Sequence, residues 1–158
     1  MKNNEKTNVM RLLDSKKIHY VSHTYTPNAK LTGEEIAALI KEDGRVVFKT
    51  LVTRGRSGGY YVFVIPVPAE LDLKKAAKAA GEKSIAMIPQ KELLPLTGYI
   101  HGGCSPIGMK KAFPTFIHET ATEYDTICVS AGKVGLQIEI APEDLAKAVR
   151  CGFADLTV

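Results

Sequence analysis

Two apolar stretches, Val46–Val52 and Tyr60–Val67, stand on either side of Gly55-Arg56-Ser57-Gly58-Gly59, and this pair constrains the chain more than anything else in it. Both are rich in β-branched and aromatic residues, which fit a pleated, half-buried surface. The glycine-rich segment between them suits a hairpin with a loop longer than two residues. Arg45–Arg54 and Tyr60–Val67 are therefore expected as successive antiparallel strands. The second, YYVFVIPV, is apolar almost throughout, as a strand covered on both faces should be. The first carries one cation in its middle, Lys49. Side chains alternate along a strand, so Val47, Lys49 and Leu51 share one face and Val46, Phe48, Thr50 and Val52 the other. Two readings of Lys49 stay open from this pattern. It projects into a cleft, or it guards a sheet edge against unwanted pairing.

The remaining elements follow from caps, breakers and periodicity. Thr7 or Asn8 begins a helix to about Lys16, with Val9, Leu12 and Leu13 on its apolar side. Ile18–Tyr25 is expected as a strand ended by Pro27 and Asn28. Thr32 and Glu35 have the spacing of a capping box ahead of Ile36, Ala37, Leu39 and Ile40. Asp72 caps a helix to Ala80, with Gly81 as its left-handed stop. A short strand, Ile85–Ile88, leads to a helical turn from Pro89 through Leu94. Four glycines and a proline between Gly98 and Gly108 mark a loop with a defined path. Strands are expected at Phe113–His118, Thr126–Ser130 and Val134–Ile140, with Ala131-Gly132-Lys133 as a turn between the last two. A helix opens at Pro142 and ends near Gly152, and Ala154–Val158 forms a last strand. Strands outnumber helices and several follow one another directly. The expected class is α+β, a mixed and largely antiparallel sheet curled toward a barrel, built as one domain over residues 1–158.

Composition narrows the function classes. No apolar run approaches the length needed to span a bilayer. Met1–Lys6 leads into an amphipathic segment and lacks a signal-peptide core, so a cytoplasmic location is expected. Three widely spaced cysteines, Cys104, Cys128 and Cys151, make a poor disulfide framework. His19 and His23 lie four apart on the first strand candidate, too few donors for a metal site, and no metal or cofactor is expected. A formal charge of +4 permits contact with a polyanion without requiring one.

Three places can carry chemistry: Lys49-Thr50 within a strand, the Gly102-Gly103-Cys104-Ser105-Pro106 loop, and Ser130 at a strand end before Gly132. Glycine-rich loops expose backbone N–H groups that hold a carbonyl oxygen, phosphate or carboxylate. A lysine ammonium binds phosphate or stabilises developing negative charge. Thr50 lies on the face opposite Lys49 in a regular strand, so it helps only through its backbone or after a bulge. Cys104, three residues from His101, is a rival nucleophile.

The order and spacing of Phe48-Lys49-Thr50-Leu51, Leu73-Lys74-Lys75-Ala76-Ala77, Gly98-Tyr99 through Gly102-Gly103-Cys104-Ser105-Pro106-Ile107-Gly108, Val129-Ser130-Ala131-Gly132-Lys133-Val134-Gly135-Leu136 and Glu139–Leu145 closely resemble the YbaK/EbsC family of prolyl-tRNA-editing-domain proteins, over nearly the whole chain. That resemblance implies a deacylase of mischarged tRNA. Its substrate would be cysteine wrongly attached to proline tRNA, and also cysteinyl-tRNA itself, with prolyl-tRNA synthetase as a working partner. It implies that Lys49 contacts the terminal adenosine and its phosphate, that Gly103 and neighbouring amides of Gly102 and the loop meet the substrate carbonyl or amino group, and that Ser130 closes the site. Tyr25 would line the pocket, with Thr50, Ser105 and Pro106 as further substrate contacts. No protein nucleophile is needed, because a cysteinyl ester carries its own thiol. Alternatives stay open: a module that binds charged tRNA or a synthetase without turnover, and an editing enzyme of another specificity such as alanyl-tRNA.

Overall fold

The computed structural model describes residues 6–28 and 30–158; the Met1–Glu5 part of the N-terminal reading lies outside them. The chain runs α1 (Asn8–Ser15), β1 (Val21–Thr24), α2 (Gly33–Leu39), β2 (Phe48–Gly55), β3 (Tyr60–Pro66), α3 (Leu73–Ala80), β4 (Ile85–Met87), α4 (Leu93–Thr97), β5 (Thr115–His118), β6 (Ile127–Lys133), β7 (Leu136–Ile140), α5 (Pro142–Val149) and β8 (Gly152–Ala154). The strands form two sheets, ordered β1-β7-β6 and β4-β2-β3-β5-β8. Ladders β1–β7, β2–β3, β2–β4 and β6–β7 are antiparallel, and β3–β5 and β5–β8 are parallel. The mixed, mostly antiparallel α+β class expected from the sequence is the class observed.

The β2–β3 pair holds the register from Phe48↔Pro66 to Arg54↔Tyr60. β3 is the apolar central strand, with Val62, Phe63, Val64 and Ile65 all fully buried. Its two faces feed two different clusters. Val62 and Val64 pack with Phe48, Val52, Val129, Ile138 and Leu145, while Phe63 and Ile65 pack with Ala76, Ala77, Ile85 and Leu156 under α3. A third cluster, Tyr25, Ile36, Ala37, Ile40, Val47, Val67 and Cys128, seats α2 over the junction of the sheets.

That junction is narrow. Val47 and Cys128 form an isolated parallel bridge, with Cys128 N–H donating to Val46 O at 2.8 Å. Farther along the same edge of β2, β4 takes over at Thr53–Gly55. The edge is thus shared by two strands, β6 at its start and β4 at its end, and the curl of the structure arises from this fork.

Several boundaries differ from the sequence reading. Lys17 adopts a left-handed conformation and Ile18 N–H bonds back to Leu13 O at 2.9 Å, so the exit from α1 consumes residues expected in the strand and β1 starts only at Val21. Residues 45 and 46 lie in a turn and Val47 in the isolated bridge, so β2 opens only at Phe48. α4 continues to Thr97 and stops at left-handed Gly98. Ala131-Gly132-Lys133 is not a turn. It lies within β6 as a bulge between Ser130 and Lys133, with Gly132 at φ 93°, and the chain reverses at Val134-Gly135. The final strand is Gly152–Ala154, parallel to β5, not Ala154–Val158.

The three expected N-caps are present: Thr7 Oγ1 accepts from Met10 N–H at 3.3 Å, Thr32 and Glu35 form a reciprocal capping box, and the Asp72 side chain accepts from Lys74 N–H and Lys75 N–H at 2.9 and 3.1 Å. Removing an N-cap acceptor costs about 1 kcal/mol. Asp72→Ala should therefore lower the unfolding free energy by about that amount in a urea titration, with an unchanged denaturant slope.

Candidate active site

Between the Val47–Cys128 bridge and the β2–β4 ladder, the edge of β2 faces a cavity of about 250 Å³. Lys49, Thr50, Phe48 and Leu51 form one wall, Ser130 and Gln137 another, His101, Gly102 and Cys104 a third, and Thr32, Gly33 and Ile36 of the α2 start a fourth. Val47 O accepts from Val67 N–H at 2.8 Å, so the peptide groups of odd-numbered β2 residues face β3. Those of the even-numbered residues face the other edge, as the bonds at Val46 O and Val52 O show. Thr50 lies between those two anchors and presents its peptide groups to the cavity side, whereas the Phe48 N–H belongs to the bridge with Cys128.

This geometry resolves the position of Thr50. Lys49 and Thr50 do point to opposite faces, yet both line the cavity because it abuts the strand's edge and not one of its faces. The two readings of Lys49 merge for the same reason: it is on an edge, and the edge borders a cleft. Its ammonium donates to Val67 O at 3.1 Å. Burial lowers its pKa below the ordinary lysine value of 10.5, with Glu34 and Glu70 pulling in the opposite direction.

The glycine loop is tightly tied. Tyr99 N–H bonds the Thr97 hydroxyl at 3.1 Å, the Tyr99 hydroxyl donates to Ile107 O, and Ser105 Oγ accepts from Ile107 N–H at 3.2 Å. Gly102 lines the cavity, but Gly103 does not. Gly103 N–H is already given to Ile100 O at 3.0 Å, and a Cβ on it would sit 3.0 Å from Val134 N and 3.2 Å from the Lys133 carbonyl carbon. Glycine is needed there because the loop rests directly on the backbone of the β6–β7 turn. Ser105 is buried behind the loop, and Pro106 lines a separate hollow with Met109 and Phe113. Tyr25 lies one layer back in the α2 cluster, with its hydroxyl buried and unpartnered among the described residues. Of the residues expected to form the site, the cavity brings together Lys49, Thr50, Gly102 and Ser130, and leaves Gly103, Ser105, Pro106 and Tyr25 outside its lining.

Two polar lining residues were not expected to contact substrate. His101, named from the sequence only as a neighbour of Cys104, stands on the cavity wall. Gln137 pairs with Ser130 across β6–β7 and is only 5% exposed. Its alternation with apolar Leu136 and Ile138 in VGLQIEI marks it as facing away from the main core, which was the available signal.

The Ser130 hydroxyl accepts from Gly132 N–H at 3.1 Å within the bulge. Among the described residues no hydrogen bond joins His101 to Ser130 or Cys104. Burial pushes the Cys104 thiol up to about 12, which leaves it protonated near neutrality and a poor nucleophile. The donor atoms of His23, Cys128 and Glu139 lie within 4.8 Å of one another. The Glu139 carboxylate is occupied by His23 Nε2 at 2.8 Å and by the Thr126 hydroxyl at 2.5 Å, so His23, Glu139 and Thr126 form a hydrogen-bonded brace from β1 across β7 to the start of β6.

The arrangement is a chamber rich in hydrogen-bond donors at the edge of a strand, and the chain that builds it resembles known proteins. The aminoacyl-tRNA editing domain profile matches residues 26–148, and the chain belongs to that family. It is 49% identical, over 99% of its own length and 96% of the other, to EbsC of Enterococcus faecalis, whose name describes a Cys-tRNA(Pro)/Cys-tRNA(Cys) deacylase. A 99-residue segment is 28% identical to part of a proline–tRNA ligase of Fervidobacterium nodosum, covering 63% of this chain and 17% of that one. Two solved structures share the fold. The hypothetical protein APE2540 superposes with a TM-score of 0.88 at 22% identity, covering 96% of this chain and all of the other. A protein described as a trans-editing enzyme for prolyl tRNA synthetase superposes at 0.81 and 23% identity, over 98% of this chain and 99% of the other.

Burial also pushes Cys128 up to about 12 and Cys151 to about 11. All three thiols of the native protein should react with a disulfide reagent at pH 8 far more slowly than the three of the urea-unfolded chain, and a rapid stoichiometric reaction at Cys104 in the folded protein would restore it as a nucleophile.

Proposed function

We propose that this protein is a trans-editing aminoacyl-tRNA deacylase that removes cysteine from Cys-tRNA(Pro), and from Cys-tRNA(Cys), using the substrate's own thiol as nucleophile. The reading takes residues 1–158 as one catalytic unit. The observation that carries it is the cavity in which a half-buried lysine ammonium, the exposed peptide edge of β2 and the glycine loop converge. Family membership and 49% identity to EbsC support the reaction class. The size supports a small acyl group. At about 250 Å³ the cavity lies just below the range of roughly 300–1,000 Å³ typical of drug-sized ligands.

In this reading Lys49 binds the phosphate of the terminal adenosine and holds the ester over the chamber. The β2 edge at Thr50 and the amide of Gly102 flank the carbonyl, and Ser130 closes the far wall. Gly103 acts by letting the loop sit on Val134, while Tyr25, Ser105 and Pro106 support the lining from behind. The substrate sulfur attacks its own carbonyl carbon, forming a C–S bond as the ester C–O bond breaks. The thiol proton ends on the ribose hydroxyl, tRNA leaves, and water opens the resulting thiolactone to cysteine. Correct orientation supplies the rate: well-placed intramolecular attack reaches effective molarities of roughly 10⁵ M or more. Alanine has no attacking group, so the chemistry itself selects where a pocket for small side chains discriminates poorly. Prolyl-tRNA synthetase, which releases the mischarged tRNA, is the partner this activity requires.

Deacylation of cysteinyl- and alanyl-tRNA(Pro), measured side by side with substrate in excess, tests the proposal. Multiple turnovers of the cysteinyl ester with little alanyl hydrolysis are expected; equal rates would remove the substrate-thiol mechanism, and binding without turnover would make the protein an adaptor. Lys49→Ala should lower the rate about 10²–10³-fold, the loss typical of one electrostatic stabiliser, whereas Cys104→Ala should retain activity. The pH profile should rise as the substrate thiol ionises and fall as Lys49 loses its proton. The charged form exists below the Lys49 pKa, so that fall should begin before the ordinary lysine range and disappear in Lys49→Arg, whose guanidinium stays charged.

A further inference from the structure

Four buried side-chain oxygens have no hydrogen-bond partner among the described residues, and two of them, Thr50 Oγ1 and Gln137 Oε1, belong to residues lining the cavity. A buried polar atom without a partner is costly, and native proteins rarely tolerate one without a use. Gln137 is the more informative of the pair. It is 5% exposed and lies across from Ser130 in the β6–β7 ladder. Among the described residues no group, the Ser130 hydroxyl included, is hydrogen-bonded to the Gln137 carbonyl.

The polarity of the chamber says what it awaits. Lys49 offers only N–H donors, and the loop offers backbone amides. These suit the oxygens of an ester and a phosphate. Gln137 lines the same cavity as Lys49, and its carbonyl is an acceptor without a partner among the described residues, which a ligand with N–H or O–H to give would satisfy. An aminoacyl ester has one such group next to its carbonyl, the α-ammonium, which donates three hydrogen bonds and accepts none. We infer that Gln137, assisted by the Thr50 hydroxyl, binds the free α-ammonium of the substrate and so restricts the site to aminoacyl esters over N-acylated or peptidyl ones. The inference rests on the deacylase reading above and adds a specificity it does not contain. An N-acyl group leaves a single amide N–H, removes the positive charge and adds bulk within a cavity of about 250 Å³. Gln137 is a binding and specificity residue in this account, and it moves no proton.

Cysteinyl-tRNA and N-acetylcysteinyl-tRNA with its thiol free provide the test, because the thiol of either can attack its own ester and only recognition of the nitrogen differs. The native protein should prefer the free amine by about 10-fold or more in kcat/KM, the value of a hydrogen bond to a charged group. Gln137→Leu, close in volume and without polar atoms, should lower kcat/KM for cysteinyl-tRNA by about 10- to 100-fold, chiefly through KM, and leave the acetylated substrate within a few-fold, so that the preference collapses. Gln137→Glu offers only acceptors and adds a negative charge, and it should keep or sharpen the preference. Equal native rates on the two substrates, or a Gln137→Leu loss shared equally by both, would overturn the assignment while leaving the deacylase reading intact. Hydrolysis of neither substrate would overturn that reading and this inference with it.

Discussion

The structure depends on the backbone bridge that joins its two sheets, the parallel pairing of Val47 and Cys128. Both residues are essentially inaccessible, and α2 packs Ile36, Ala37 and Ile40 over them. Had β6 continued along β2, the edge would have been sealed by a regular ladder. Instead β6 turns away into its bulge, and β4 reaches the same edge only at its other end. What remains between is a stretch of β2 whose edge no strand pairs, and it borders the cavity. Unpaired edges are normally hazards, since they recruit other strands. Here the edge is roofed by α2 and the glycine loop, so a small extended molecule can reach it and another sheet cannot.

Polar groups are distributed unevenly over the three-stranded sheet, and the reason is topological. One face, carrying Val129, Ile138 and Ile140, closes the main core. The other carries Ser130, Gln137, Cys128, Glu139 and His23. Toward the outer strand these satisfy one another through the His23–Glu139–Thr126 brace. Toward the cavity they do not, and Gln137 keeps an unmet carbonyl. The site is the part of this face where the network has been left unfinished.

Much of this was legible in the chain itself. The hairpin of β2 and β3, the central burial of YYVFVIPV, the Thr32 and Asp72 caps and the left-handed Gly81 follow from local chemistry that tertiary packing had no cause to override. Lys49 and Gly102 could be placed in a common site because a cation in an apolar strand and a glycine-rich loop are each incomplete alone. Harder to read was anything set by pairing between distant strands. Alternation predicts faces and says nothing of which edge stays open, so Thr50, on the face opposite Lys49, had a place in the site only through its backbone or a bulge until β6 and β4 were seen to share one edge. Gly132 and Gly135 both have positive φ, and sequence could not tell that the first would bend a strand while the second reverses it. Gly103 was singled out as a donor, whereas its own N–H is spent on Ile100 and its lack of a side chain is what matters.

The seating of Gly103 on Lys133 and Val134 has a consequence for how such a chain can diversify. Two segments thirty residues apart touch backbone to backbone, with no side chain between them to be trimmed or enlarged as a shim. Inserting or deleting a residue in the β6–β7 reversal would lift the loop bodily, and no substitution inside the loop could restore its height. The spans 98–108 and 130–136 must therefore drift together in length or not at all, which leaves amino-acid preference to be retuned only by exchanging the side chains that look into the chamber.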